Sequence, residues 1–235
     1  MPPPVAAAGR PLPDAPARRR RKEARPQELL AAALALFAEK GFAATRAEEV
    51  AARAGVSKGT LYLYYPSKEE LLKAVIRENL SQLIAEGQGL VETAQCSTAE
   101  LLLLLMHTWW DRVGNTPAAA IHKIILSEVR NFPDIGEFYG REVIVPAEHL
   151  LMTAVQRGID RGEFRPVPVR EVALGLLAPV IFLSLHQHSL GACGARIRTL
   201  DTRSVLSAHI DLVLRGLQRR GDPLDDAPPL QVPTC

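Results

Sequence analysis

The stretch that decides the fold is TRAEEVAARAGVSKGTLYLYYPSKEELL, residues 45–72. Its apolar residues recur at helical spacing, first around Val50 and again at Leu61. Gly55 stands between them, and glycine most easily adopts the left-handed backbone that ends one helix and turns sharply into the next. Ser57 follows where a hydroxyl can cap a helix. The pattern predicts a helix, a tight turn and a second helix over 58–64 that fits the major groove of B-DNA.

Polar and aromatic side chains face outward from that second helix, because Leu61 is its main apolar anchor. Lysine, glycine, threonine and tyrosine suit a surface that meets phosphates and base edges. We expect Thr45 to cap the first helix with Glu48 at capping-box spacing, and Ser67 to cap a third. The predicted DNA contacts are Thr45, Lys58, Gly59, Thr60, Tyr62, Tyr64 and Lys68, of which Thr45, Tyr64 and Lys68 are expected to bind mainly phosphate.

The run AxxVAxxAGVSKGTLYxYYxSKEELL resembles the DNA-binding domain of the TetR/AcrR family of bacterial transcriptional regulators. The upstream ALALFAEKGFAAT resembles that family's first helix and its Gly-Phe corner, so the resemblance covers roughly residues 26–75. Two departures are mild: Tyr65 stands where Phe is commoner, and Val50 where Ile is commoner. The resemblance implies an all-α fold with an N-terminal helix-turn-helix domain and a C-terminal helical domain that binds a ligand and dimerises.

Composition is consistent with a DNA-binding end and a neutral-to-acidic body. Residues 1–68 carry twelve Lys and Arg against six Asp and Glu, whereas the whole chain has a net charge of only +2. Three widely spaced cysteines suggest neither a disulfide framework nor a zinc site, so we expect a reducing, cytoplasmic setting. No uninterrupted apolar run reaches the length of a membrane span, and no cofactor is expected.

The chain divides into four predicted segments. Residues 1–25 are rich in Pro, Ala and Arg and are expected to be a disordered basic arm, whose cluster at 18–22 either contacts DNA or is merely solvated. Helical periodicity without any strand pattern predicts about nine helices. The segments are 1–25, the DNA-binding domain 26–72, the ligand-binding and dimerisation domain 73–220, and a disordered tail 221–235.

Within the second domain, Gly87 and the polar stretch to residue 98 predict a boundary, and Pro146 is expected to kink a long helix over 135–161. The apolar helices predicted over 169–190 and 201–219 are the candidates for dimerisation, because a single helix-turn-helix covers few base pairs. The alternative is that these two helices only close the core of one chain.

The resemblance also implies a ligand cavity in this domain. Polar or polarisable side chains within otherwise apolar helices allow an aromatic, mostly apolar site. A metal site is disfavoured, since His186 and His188 are two apart on a helix and point in different directions. The candidate ligand contacts are Met106, His107, Trp110, His122, His149, Met152, Phe182 and His186.

The sequence therefore predicts a homodimeric repressor that leaves a near-palindromic DNA operator when a small, mostly apolar molecule binds. One alternative is a protein of the same fold that answers to a protein partner or acts as a nucleoid-associated factor. An enzyme is disfavoured, because the sequence shows no catalytic spacing, phosphate-binding glycine loop or nucleophile elbow.

Overall fold

The computed structural model describes residues 15–188 and 201–218, with side chains from Pro26 onward. Within those limits the chain is helical, and its β pairing is one isolated bridge between Phe164 and Gln218. This agrees with the all-α prediction. The helices are α1 Ala15–Lys40, α2 Ala47–Arg53, α3 Lys58–Tyr64, α4 Lys68–Ile76, α5 Gln82–Thr93, α6 Thr98–Trp109, α7 Ala120–Glu128, α8 Pro133–Tyr139, α9 Val145–Asp160, α10 Val169–His188 and α11 Thr202–Leu217.

Short π-helical turns make some of these helices continuous. Arg77–Ser81 joins α4 to α5, and Gly140–Ile144 joins α8 to α9. A third turn, Trp110–Gly114, extends α6. With each joined pair taken as one rod, the described residues form nine helices, in line with the sequence prediction.

The DNA-binding domain packs α1, α2, α3 and α4 around a small core. Leu61, Phe37 and Phe42 are buried in it, and the ring centroids of the two phenylalanines lie 5.4 Å apart. Gly55 has φ +66°, and Ser57 Oγ accepts a hydrogen bond from the Thr60 backbone N–H at 3.1 Å. The predicted turn glycine and the predicted cap of α3 are therefore confirmed.

The first helix is longer than predicted, since it begins at Ala15 and contains Pro26 in its interior. The prediction of disorder over 1–25 rested on composition, but alanine, arginine and lysine are among the best helix formers. The side chains of the basic cluster at 18–22, and the predicted disordered segments 1–14 and 221–235, lie outside the described residues.

The predicted boundary at 87–98 shrinks to a short connection, because α5 continues to Thr93. Gly87 is buried inside the helix, where a Cβ would come 2.8 Å from Leu150 Cδ2. Gly87 therefore allows α5 to approach α9 closely, and it does not end the helix. Arg157 then fixes the connection, with hydrogen bonds to the carbonyls of Ala94 (2.8 Å) and Cys96 (3.0 Å).

The helix predicted over 135–161 is also irregular, but the irregularity precedes Pro146. That proline lies in the first turn of α9, directly after the π turn Gly140–Ile144. Proline has no N–H to donate back along the helix, so a local change of hydrogen-bonding register is the expected response.

In the second domain, α10 packs against α7, α9 and α11, and α9 packs against α5 and α6. Of the described helices, α10 alone is long and apolar enough to cross a membrane by length and composition. Its inner face, with Ala173, Leu176 and Leu183, is buried, while Leu174 and Phe182 are exposed. One apolar side of α10 therefore has no partner within the described chain.

Gly55→Ala should lower the free energy of unfolding by about 1–2 kcal/mol, since the left-handed conformation places Cβ too close to the following carbonyl. No side chain would obstruct the added Cβ, so backbone strain alone is tested. Urea titration measures the change.

Gly89→Ala is the matched control: Gly89 is an exposed residue of α5 with open space around it. There alanine should raise stability by about 0.5–1 kcal/mol. Equal stability of Gly55→Ala and the unchanged chain would contradict the turn assignment.

Candidate DNA interface and ligand cavity

The outer face of α3 presents Lys58, Gly59 and Tyr62 to solvent. Lys58 forms a salt bridge with Glu48 of α2 and lies 5.7 Å from the centre of the Tyr62 ring. The bonded Glu48 carboxylate raises the pKa of Lys58, so its positive charge is secure. Such an exposed ion pair contributes little to stability, and Lys58 is free to exchange it for a phosphate or a base.

Two other predicted contacts are less open. Thr60 is half-buried, and its hydroxyl lies 2.9 Å from Ser57 Oγ. Tyr64 is half-buried against the core of the domain. Both lie on α3, as predicted, and their contact with DNA remains a prediction.

Thr45 does not occupy the predicted position. Its side chain is 1% exposed, and its hydroxyl donates to the carbonyls of Gly41 (2.8 Å) and Leu36 (3.3 Å) at the end of α1. The residue that caps α2 is Arg46, whose backbone N–H donates to Glu49 Oε2 at 3.1 Å. This corrects the expected cap and the expected phosphate contact, because the Thr45 hydroxyl serves helix carbonyls instead.

Lys68 has a structural role that its sequence position did not reveal. Its Nζ donates to the carbonyls of Phe42 (2.9 Å), Ala43 (3.2 Å) and Thr45 (3.1 Å) and lies 4.4 Å from the centre of the Phe42 ring. An ammonium group has three N–H donors, and all three are engaged. In the free chain Lys68 therefore fixes the corner between α1 and α2, and its contact with phosphate remains a prediction.

Leu63 is a surface residue of α3 that the sequence analysis did not select. It is 81% exposed, more than any other large apolar side chain among the described residues. A leucine kept in water on this helix can contact the C5-methyl group of thymine, a pairing that apolar side chains make in the major groove. Its neighbours on both sides, Tyr62 and Tyr64, were selected because they are polar.

A cavity of about 860 Å³ lies between α5, α6, α7, α9 and α10. This volume is within the range of small-molecule sites, roughly 300–1,000 Å³. The lining is almost wholly apolar, with Leu105, Ile125, Val143 and Leu177 among its residues. No lysine or arginine belongs to the lining as described, and Glu86 at its edge is paired with Arg112.

The structure brings three of the eight predicted ligand residues to this cavity: Met106, His122 and Phe182. The other five predicted contacts lie outside the lining, and their contact with a ligand remains a prediction. Trp110 is fully buried, and His149 is exposed on α9. Periodicity marks the polar residues of a helix without showing which buried side meets a void. The five residues outside the lining are His107, Trp110, His149, Met152 and His186.

Trp109 and Tyr139 line the cavity but were absent from the predicted ligand set. The Trp109 ring meets the His122 ring edge-on, with centroids 6.4 Å apart. The Tyr139 side chain is buried, and burial raises the pKa of its phenol, which stays neutral. Trp109 is adjacent to Trp110 in sequence, and only the direction of each ring shows which of the two faces the cavity.

His122 is the main polar group of the cavity wall. It is 3% exposed, and its Nδ1 lies 3.2 Å from the Ala119 carbonyl, to which the neutral ring donates. Burial lowers the pKa of His122 to about 4, so the ring carries no charge at neutral pH. Among the described residues, the cavity lining thus has neither a cationic side chain nor a charged histidine to pair with an anion.

The buried neutral His122 should make stability depend on pH between 7 and 5. The pKa of His122 is near 6.5 in the unfolded chain and about 4 in the folded chain. Because the unfolded state then binds more protons, lowering the pH from 7 to 5 should cost about 2 kcal/mol through this residue. His122→Phe should remove that part of the pH dependence in urea titrations at both pH values. An unchanged difference between pH 7 and pH 5 would contradict the buried, neutral state.

Comparison with known proteins agrees with this geometry. Residues 29–75 match the model of the family described as bacterial regulatory proteins, tetR family. The chain is 28% identical over 197 residues to the HTH-type transcriptional repressor KstR2 of Rhodococcus jostii, covering 83% of this chain and 92% of that protein.

Solved structures share the fold over most of their length. The transcriptional regulator FadR of Bacillus subtilis, solved in complex with stearoyl-CoA, has a TM-score of 0.65 at 19% identity; the match covers 99% of that chain and 82% of this one. SmeT, the repressor of a Stenotrophomonas maltophilia multidrug efflux pump, has a TM-score of 0.65 at 21% identity and is covered to 97%, against 88% of this chain. The helix-turn-helix domain, residues 29–75, therefore belongs to the tetR family of bacterial regulatory proteins, and the helical second domain has the fold of solved structures of that family.

Proposed function

We propose that the chain is a cytoplasmic, homodimeric transcriptional repressor that binds a near-palindromic operator and is released by a small, mostly apolar molecule. The observation that carries this proposal is the α3 surface, where Lys58, Gly59, Tyr62 and Leu63 stand exposed after a tight glycine turn. The KstR2 relatives are named transcriptional repressors, which supports repression rather than activation.

DNA binding by this surface calls for two copies. One α3 helix contacts few base pairs, and two helices on one face of B-DNA are held about 34 Å apart. We assign the dimer contact to the outer faces of α10 and α11. These carry apolar side chains that a single chain leaves exposed, namely Leu174, Phe182, Val205 and Leu212.

The cavity favours an uncharged effector, or one that buries only an uncharged part. An ionised group without a partner is costly to move from water into an apolar site. The part of the lining that the structure describes offers no cation, and His122 is neutral. This observation favours control by a small molecule over control by a protein partner alone.

The segment from α8 through the following π turn links the cavity to the DNA-binding domain. On one side, Tyr139, Val143 and Ile144 line the cavity. On the other side, the Phe138 ring packs against Arg77 at the end of α4. The Arg77 guanidinium carbon lies 4.7 Å from the centre of that ring. A ligand that prefers one position of this segment would shift α4, and with it the separation of the two α3 helices.

Leu63→Ser should weaken binding to the operator by about fourfold per half-site, because the lost apolar contact with a thymine methyl is worth about 0.8 kcal/mol. Stability should be nearly unchanged, since Leu63 is 81% exposed. The operator is first identified by selecting bound fragments from sheared genomic DNA, and affinities are then measured by fluorescence anisotropy. Leu104→Ser, at an exposed site on α6, is the matched control and should bind normally. Normal operator affinity of Leu63→Ser would remove this residue from the interface.

Ala147→Trp should fill part of the cavity, because Ala147 lines it and the indole adds a bulky group. We expect weaker binding of the neutral fluorophore N-phenyl-1-naphthylamine, measured by its emission and by energy transfer from tryptophan. Thr153→Trp, on the exposed side of α9, adds the same indole outside the cavity and controls for it. Full binding of the fluorophore by Ala147→Trp would show that it does not enter this cavity.

A further inference from the structure

Two exposed residues of α10 also belong to the cavity wall. Leu174 is 43% exposed and Phe182 is 58% exposed, and both line the cavity. Ala178, between them and one turn from each, is exposed and lines it too. The cavity therefore opens beside the unpartnered side of α10, and part of its wall is an apolar surface that one chain leaves in water.

The same side of α10 continues onto α11. His209 Nε2 of α11 lies 3.1 Å from the Gly175 carbonyl of α10, so the two helices form one face. Val205 and Leu212 of α11 are 39% and 72% exposed, and neither lines the cavity. The exposed apolar surface thus extends beyond what a ligand in the cavity could cover.

A second copy of the chain suits this surface better than a lipid bilayer does. Only 28% of the most apolar 18-residue stretch of α10 is buried within the single chain. Charged side chains on α11 border the apolar ones: Asp211 pairs with Arg215 at 2.7 Å, and Arg203 pairs with Asp111 at 2.8 Å. Such charges are costly in hydrocarbon but ordinary at the polar rim of a protein interface.

We propose that the partner protomer closes the cavity, so that the effector site is complete only in the dimer. The proposal rests on the proposed function, since it takes the cavity as the effector site. In the dimer, the partner's surface covers the apolar edge formed by Leu174, Ala178 and Phe182. An apolar effector then exchanges its exposed edge for contact with the second protomer.

Ligand binding and dimerisation are consequently linked in both directions. If each site binds the ligand tenfold more tightly in the dimer, saturating ligand strengthens dimerisation by about a hundredfold, because two sites contribute. A cavity contained within one chain would show no such coupling. The coupling is therefore the quantity to measure.

The test uses the full chain and N-phenyl-1-naphthylamine as the probe. Leu212→Arg places a charge on the α11 face away from the cavity, and Leu104→Arg is the matched control on α6. Sedimentation velocity gives the oligomeric state, circular dichroism confirms folding, and probe emission gives affinity. We expect Leu212→Arg to be monomeric and to bind the probe at least tenfold more weakly, while Leu104→Arg stays dimeric with unchanged affinity.

A folded, monomeric Leu212→Arg with the original probe affinity would overturn the proposal, as would a Leu212→Arg that remains dimeric. Failure of the unchanged dimer to bind any apolar probe would instead count against the proposed effector site itself. Should Leu212→Arg not fold, dilution of the unchanged chain through its dimer dissociation range gives the same comparison. Probe affinity that is constant across that range would refute a shared site.

Discussion

Phe138 of α8 packs against the end of α4, and the arrangement of the two domains depends on this contact. Its buried ring has the Arg77 guanidinium 4.7 Å from its centre, Lys73 at 5.8 Å and Arg141 at 5.9 Å. Cation–π contacts contribute about 0.5–1 kcal/mol at exposed sites and more when desolvated. Arg77 also lies 3.7 Å from Glu142. Aromatic and ionic contacts therefore hold α8 to the helix that positions the DNA-binding domain.

The two π turns give this contact its mechanical meaning. Arg77–Ser81 and Gly140–Ile144 pack against each other at the junction, and each continues directly into a helix that lines the cavity. A π turn holds one extra residue per turn, so a local change there can rotate the helix that follows it. A ligand that fills the cavity would contact the segment that also supports α4. The proposed release of DNA by an apolar ligand, with no contact to α3, would follow this route.

The sequence predicted the DNA-binding domain better than the cavity. Gly55, Ser57 and Ser67 follow local rules of turn and cap chemistry, and the structure confirms all three roles. Thr45 and Lys68 could not be placed in this way, because their partners are backbone carbonyls at the end of α1 and in the corner that follows it, and no local rule of caps or turns assigns them. Trp110 was selected in place of Trp109 for a similar reason: consecutive helix residues point about 100° apart, and sequence does not show which direction meets the void.

Two copies of the chain are proposed to hold their α3 helices at a set spacing, which Phe138 maintains. Electron–electron distance measurement on spin labels tests this spacing, with Ala52→Cys on exposed α2 in a chain whose three other cysteines are serine. We expect one narrow distance distribution between protomers, which broadens in Phe138→Leu, where apolar volume remains but the aromatic face is lost. An equally narrow distribution in Phe138→Leu, or no interaction between labels in the unsubstituted background, would contradict it.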